Sequence, residues 1–194
     1  MKTRRQRLPR SAATAHQHGF VMIISLLFLI VLTVLSISMF RSFDLQEKIA
    51  GNTLEKQRAL ETAQSALQYG EWWLGQGNGA TGSTCNTVTN ANVLSQMQVC
   101  SNALANPTSL EWTARADYQP PNMSIDTKGN LASNGDINYY KKPGLYINYL
   151  GLAPDGRSLL YRVSAFGYGG RATTAAVVQS TYQITGGNKA LDQP

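Results

Sequence analysis

His18-Gly19-Phe20-Val21-Met22-Ile23-Ile24-Ser25-Leu26-Leu27-Phe28-Leu29-Ile30-Val31-Leu32-Thr33-Val34-Leu35-Ser36-Ile37-Ser38-Met39-Phe40 joins a polar leader directly to a long apolar run. From Phe20 to Phe40 there is no charge and no proline, and the only polar residues are Ser25, Thr33, Ser36 and Ser38. A helix needs about 20 apolar residues to cross the hydrocarbon core of a bilayer, so this run is long enough. It is also apolar on every side, whereas a helix buried in a soluble core usually keeps a polar face. Lys2, Arg4, Arg5, Arg7 and Arg10 precede the run with no acid among them, and Asp44 is the first acid after it. The positive-inside rule then places the N-terminus in the cytoplasm and the C-terminal bulk of the chain outside it. An ordinary secretory signal has a shorter apolar region, about 7–15 residues, before its cut. Ser36 and Ser38 imitate such a cut, but the run before them is too long.

The chain has 194 residues, and its net charge of +6 is unevenly distributed. Without the five leader cations, 12 basic groups face 11 acidic ones, so the remainder offers no broad field for gripping nucleic acid. Beyond the apolar run, Leu45, Ile49, Leu60, Ala63, Leu67 and Leu74 recur at helical spacing and predict one apolar stripe from Arg41 to about Trp73. Glu47, Lys48, Glu55, Lys56, Arg58 and Glu61 fall on other faces, as solvated charges would. Gly51-Asn52 is expected to bend or loosen this helix, because glycine costs about 1 kcal/mol against alanine there. At about 1.5 Å per residue, residues 20–73 would make a rod of roughly 80 Å.

Glycines 75, 77, 79 and 82 read as a breaker. Downstream, Leu110, Trp112, Ala114, Ala116 and Tyr118 alternate with polar residues, the period of a half-buried strand. Leu145-Ile147-Tyr149, Tyr161-Val163-Ala165 and Ala176-Val178-Ser180-Tyr182 repeat that alternation. Turn signals at Asn134-Gly135-Asp136, Pro154-Asp155-Gly156 and Gly169-Gly170 separate the runs and favour an antiparallel meander. Its apolar face needs a cover, which the amphipathic helix can supply. The expected class is α+β.

Residues suited to catalysis are sparse. His16 and His18, the only histidines, both precede Gly19, so a chain beginning at Phe20 has neither Ser-His-Asp nor Cys-His chemistry nor a His-ligated metal. Asp117, Asp126, Asp136 and Asp155 are scattered through turn-like or exposed contexts. Asp126-Thr127-Lys128-Gly129-Asn130 fails the spacing of a calcium loop, with Gly too early and Lys at a ligand position. No cofactor is implied. Cys85 and Cys100 are the only cysteines, and outside the cytoplasm a disulfide is their default state. Closing a loop of that size contributes about 3 kcal/mol in the chain-entropy model. Trp72, Trp73 and Trp112 with Tyr139, Tyr140, Tyr146 and Tyr149 admit a reading as a sugar or nucleic-acid surface. The favoured reading is core packing, because Trp112, Tyr149 and Tyr161 fall on strand faces. Tyr139-Tyr140-Lys141-Lys142 alone combines aromatics with basic charge.

Gly19-Phe20, placed after a basic leader and at the start of a spanning helix, resembles the site of a type IV prepilin. That resemblance implies a type IV pilin fold and cleavage between Gly19 and Phe20 by a cytoplasm-facing prepilin peptidase, with N-methylation of Phe20. Leu45-Gln46-Glu47-Lys48-Ile49-Ala50-Gly51-Asn52, then Arg58-Ala59-Leu60, Ala63 and Ser65-Ala66-Leu67, resembles the N-terminal signature of the PilX minor pilins. Tyr161-Arg162-Val163-Ser164-Ala165-Phe166-Gly167 and Val177-Val178-Gln179-Ser180-Thr181-Tyr182 are similar to that family's closing strands. The resemblance covers residues 19–74 and 157–184, and the middle is read from composition alone.

It divides the chain into a cleaved leader (1–19), a transmembrane half-helix (20–40), an amphipathic half (41–74) and an extracytoplasmic head (75–194). It implies a non-catalytic subunit, anchored once in the inner membrane and later incorporated at or near the pilus tip. With minor pilins like PilV, PilW, PilE and FimU it would prime assembly, contact the major pilin and help present a large tip adhesin. Whether such a pilus serves twitching motility, adhesion or DNA uptake stays open. Major pilins of the superfamily carry a Glu four residues after the cleavage-site Phe, where it neutralises a neighbour's N-terminal amine. Here that position is Ile24, a departure that suits a subunit with no earlier subunit above it. Two alternatives stand beside this reading. One is a GspK-like pseudopilin of type II secretion, which shares the missing Glu but carries a large extra domain for which this chain is too short. The other is a tip receptor for DNA or a host surface.

Overall fold

A computed structural model describes residues 18–128 and 138–185. Two compact units are present, one ending at Ile49 and the other beginning at Ala50, so their boundary falls inside a single helix. That helix, α1, runs His18–Trp73. No proline interrupts it, and it passes through Gly51-Asn52 without a break. The expected loosening there is not seen, since one glycine's cost of about 1 kcal/mol is spread over a long cooperative helix. The predicted glycine breaker does end α1. Leu74–Asn78 forms one wider turn, Gly77 adopts φ 86°, and the Asn78 side chain donates to Trp73 O at 2.8 Å.

The second unit packs the C-terminal part of α1 on a sheet in the order β1-β2-β5-β6-β7. Its strands are β1 Val88–Asn90, β2 Arg115–Asp117, β5 Gly144–Leu152, β6 Ser158–Tyr168 and β7 Ala175–Thr185. β3 Ser124–Ile125 and β4 Asn138–Tyr139 form a separate parallel pair. β5, β6 and β7 make the antiparallel meander that their alternation predicts. β2 also pairs antiparallel with β5, but β1 joins β2 in parallel. The architecture is therefore α+β and pilin-like, with a mostly antiparallel sheet behind a long apolar N-terminal helix. The turn at Pro154-Asp155-Gly156 closes with Ala153 N–H donating to Ser158 O at 2.8 Å, and that at Gly169-Gly170 with Gly169 N–H donating to Thr174 O at 2.9 Å. Asn134-Gly135-Asp136 lies outside the described residues.

Two sequence expectations need correction. Leu45, Ile49 and Leu60 are exposed, whereas Ala63 and Leu74 of the expected stripe are buried and Leu67 packs against the core; Ala59, Thr62, Ala66, Gly70 and Trp73 complete the face of α1 that meets the sheet. Small residues win there because the backbones approach so closely: a Cβ at Gly167 on β6 would lie 2.5 Å from Ala63 N and 2.7 Å from Ala59 O. A search for large apolar residues misses a stripe selected for smallness. The second correction concerns residues 110–118. Trp112, Ala114, Ala116 and Tyr118 are all buried, as the alternation requires, yet only Arg115–Asp117 forms a strand. Alternation reports which side is buried, and here the upstream residues bury theirs without a ladder.

The sheet carries a core on each face. Facing α1, Tyr161, Val163, Ala165, Leu145 and Ile147 pack with Ala66, Trp73 and Leu74. On the opposite face Trp112 meets Phe166 edge-on at 4.9 Å, among Cys85, Cys100, Tyr146 and Tyr168.

Candidate functional site

Gly19 and Phe20 lie in the first turn of α1, and Phe20 is 63% exposed. Seventeen large apolar side chains between Phe20 and Phe40 are exposed on this helix. Each would gain about 1.5–3 kcal/mol from burial, so leaving the whole surface in water would cost tens of kcal/mol. Three of the segment's four hydroxyl side chains find acceptors within the helix itself. Ser25, Thr33 and Ser36 donate their hydroxyls to Met22 O, Ile30 O and Leu32 O at 2.9, 2.7 and 2.8 Å. α1 is thus long and apolar enough to cross a membrane, with a mean hydropathy of 3.0 in its most apolar window. Polar pairing begins immediately beyond, where Lys48 and Asp44 pair at 2.9 Å one helical turn apart. Ile24 sits on the apolar segment at 38% exposure and puts no carboxyl near Phe20.

In the head, Cys85 and Cys100 are joined by a disulfide with Cα atoms 5.3 Å apart. Cys100 is stitched to β5 as well: its N–H donates to Ile147 O at 2.8 Å, and its carbonyl accepts from Tyr149 N–H at 2.9 Å. Asn148 donates to Cys100 O and Asn102 O, while the Asn102 amide brackets Cys85, accepting from its N–H and donating to its carbonyl. The bridge therefore holds a loop already annealed to the sheet. Asn102 and Asn148 escape sequence reasoning, because a buried amide that satisfies loop carbonyls looks like any surface asparagine.

A second fastening ties α1 to the rest of the head. Glu55 pairs with Arg58 and accepts from Gly170 N–H at 2.6 Å. The Arg58 guanidinium also donates to Asn138 O at 2.5 Å and lies 4.7 Å over the Tyr139 ring. Charges predicted to be solvated thus include one that is buried, at 8% exposure. A surface pattern in sequence cannot distinguish a cation that reaches water from one that reaches a carbonyl.

The aromatic residues divide in favour of packing. Trp73, Trp112 and Tyr146 are buried, and Trp72 is the one tryptophan left half exposed. Tyr69 bridges Trp72 and Tyr118, stacking on Tyr118 at 4.4 Å and donating to Ala91 O at 2.8 Å. Burial raises the Tyr69 phenol above its ordinary pKa, with Tyr118 adding to the effect, and burial also leads the rise at Tyr146, Tyr161 and Tyr168. At Tyr139-Tyr140-Lys141-Lys142, Lys141 is paired with Glu111, whose hydrogen bond raises the amine pKa. Arg115 is paired with Asp117 at 2.6 Å. These two pairs line a groove of about 180 Å³ that the exposed Lys142 also borders.

Asp155 serves the β5–β6 turn, and hydrogen bonds from the Ser158 hydroxyl and from the Arg157 and Ser158 N–H groups hold its carboxyl below the ordinary range. Asp126 accepts from Lys128 N–H in a local turn. Asp136 and His16 lie outside the described residues. Among the described residues, no three His, Cys, Asp or Glu side chains come together.

The surface of α1 is therefore apolar from Phe20 to Phe40, and in the head Arg58, Arg115 and Lys141 each have an acidic partner. A family model described as PilX N-terminal matches residues 18–68, and one described as type IV pilus assembly protein PilX C-term matches residues 75–184. The chain belongs to the PilX family. The second match includes the middle segment that sequence resemblance left open. Comparison with curated proteins and with solved structures returned no match. Membership makes this PilX chain a structural component of type IV pili in the minor-pilin class, which works with other pilus components.

Proposed function

We propose that this PilX chain is a non-catalytic minor pilin that primes pilus assembly and resides at or near the pilus tip. Its leader is removed between Gly19 and Phe20, and Phe20 becomes the N-methylated N-terminus. Residues 20–40 anchor it once in the inner membrane with the head in the periplasm, until assembly exchanges lipid for neighbouring helices. Its partners are minor pilins of the PilV, PilW, PilE and FimU kinds, the major pilin and a large tip adhesin.

The observation that carries this reading is the uncharged apolar surface of residues 20–40 of α1, with Ile24 where a carboxylate would be needed. An ammonium held in a low-dielectric fibre core without a counter-charge costs several kcal/mol. A subunit whose position 24 is apolar provides no such counter-charge, so it fits best where no earlier subunit's amine must be neutralised. The paired state of Lys141 and the burial of Arg58 favour protein contacts over nucleic-acid binding by the head.

The test is immunogold labelling of pili carrying wild-type chain or Ile24→Glu. Wild-type label should fall at fibre ends, and the Glu variant should spread along the shaft. Wild-type label distributed evenly along the shaft would overturn the tip assignment.

A further inference from the structure

α1 gives way to the wide turn Leu74–Asn78, and Gly79 follows it directly. Asn78 and Gly79 each have a task at this helix end. The Asn78 side-chain amide donates to Trp73 O at 2.8 Å, meeting one of the carbonyls that a helix leaves unpaired at its C-terminus. Gly79 comes so close to β6 that a Cβ on it would lie 2.9 Å from Tyr161 Oη. Tyr161 is fully buried, and its hydroxyl donates to Ala80 O at 3.1 Å, so the residue after the pair is clasped to the core.

These two tasks put asparagine directly before glycine, with Asn78 exposed. In that order the main-chain nitrogen of Gly79 and the side-chain carbonyl carbon of Asn78, Cγ, are placed to close a five-membered ring. Both reactants belong to one short piece of chain, so no second molecule has to be positioned to form it. A Cβ on the following residue crowds the attacking nitrogen, and glycine has none. Among the described residues Asn78 is the only asparagine followed by glycine; all the others precede residues that carry a Cβ.

We propose that Asn78 is a self-modification site, where the side-chain amide is lost by cyclisation onto Gly79 N and the product loosens the end of α1 from β6. Gly79 N bonds to Asn78 Cγ, the Cγ–Nδ2 bond breaks, and Nδ2 leaves as ammonia with the proton that Gly79 N gives up. Water then opens the ring. Addition at Cγ leaves aspartate at position 78, and addition at the main-chain carbonyl leaves isoaspartate, whose chain runs through Cβ and Cγ. The hydrogen bond to Trp73 O slows the reaction by holding the amide on the preceding turn. Either product loses that donor and turns a carboxylate into a helix end where carbonyls already gather negative charge. Isoaspartate also lengthens the main chain by one carbon before Gly79, which shifts Ala80 O from the Tyr161 hydroxyl. This chemistry depends on α1 and β6 alone, not on the pilus reading.

The test incubates full-length protein in detergent at mildly alkaline pH, folded or in urea, and maps aspartate and isoaspartate by peptide mass analysis. In the folded protein, conversion at Asn78 should exceed that at any other described asparagine at least tenfold. Urea should speed it, because the bond to Trp73 O is gone. Asn78→Gln keeps a donor amide but closes no five-membered ring, so it should fold and show no conversion at that position. Asn78→Asp should raise amide exchange across residues 74–78 at least tenfold over wild type. Conversion at Asn78 no greater than at Asn86 or Asn90 in the folded protein would overturn the site. Wild-type exchange rates across residues 74–78 in folded Asn78→Asp would overturn its effect on α1.

Discussion

A Cβ added at Gly167 would fall against α1 main chain, 2.5 Å from Ala63 N and 2.7 Å from Ala59 O. Backbone cannot step aside as a long side chain can. Gly167→Ala should therefore destabilise the head by about 2–3 kcal/mol, the upper part of the range for overpacking, as measured by urea unfolding in detergent. Gly70 presents a softer case, since its Cβ would meet the end of the Leu145 side chain at 2.8 Å. Asp155 supplies a different residue-scale prediction. Its folded-state pKa is lowered chiefly by the Ser158 hydroxyl, so its carboxylate contributes stability above the ordinary Asp pKa, and that contribution is lost as pH falls through the folded value. Below about pH 4, wild-type thermal midpoints should fall faster than those of Asp155→Asn. Parallel acid limbs would contradict this assignment. At this scale the sequence was least legible: Gly167 and Asn148 look unremarkable until their neighbours are known.

At the scale of elements, α1, β5, β6 and β7 were legible because each carries a long periodic signal. Apolar length announces the first half of α1, and strict alternation marks the three strands. β1, β3 and β4 are only two or three residues long and lack a full period to detect. The disulfide was legible from the cysteine count, but its setting was not. Cys100 serves as an isolated β-bridge to Asn148, and Ser83 bridges to Cys100 in turn. Because hydrogen bonds already hold this loop, Cys85→Ser with Cys100→Ser should leave the native sheet intact and mainly release the unfolded chain. The expected loss is about 2–3 kcal/mol, read as a lowered urea midpoint with unchanged near-ultraviolet circular dichroism of the head. A collapsed near-ultraviolet spectrum in the absence of denaturant would show that the bridge builds the loop rather than secures it.

For the whole molecule, one helix serves two solvents. Its N-terminal part exposes an apolar surface suited to lipid, and from Ala50 onward it supplies small residues to a compact head. The sequence showed the first property through composition and only part of the second, since Ala63 and Leu74 fell in the expected stripe while Ala59 and Ala66 carry little hydropathy. Family membership explains why both parts occur in one chain: a pilus subunit must be stored in a membrane and then packed among helices. The central claim is that Phe20 is the mature N-terminus of a pilin. It is tested most directly by intact mass and N-terminal sequence of the membrane-purified protein, with and without an active prepilin peptidase. The account predicts a chain starting at N-methylated Phe20 only when the peptidase is active. Retention of Met1 in both samples, or a cut near Ser38, would contradict it.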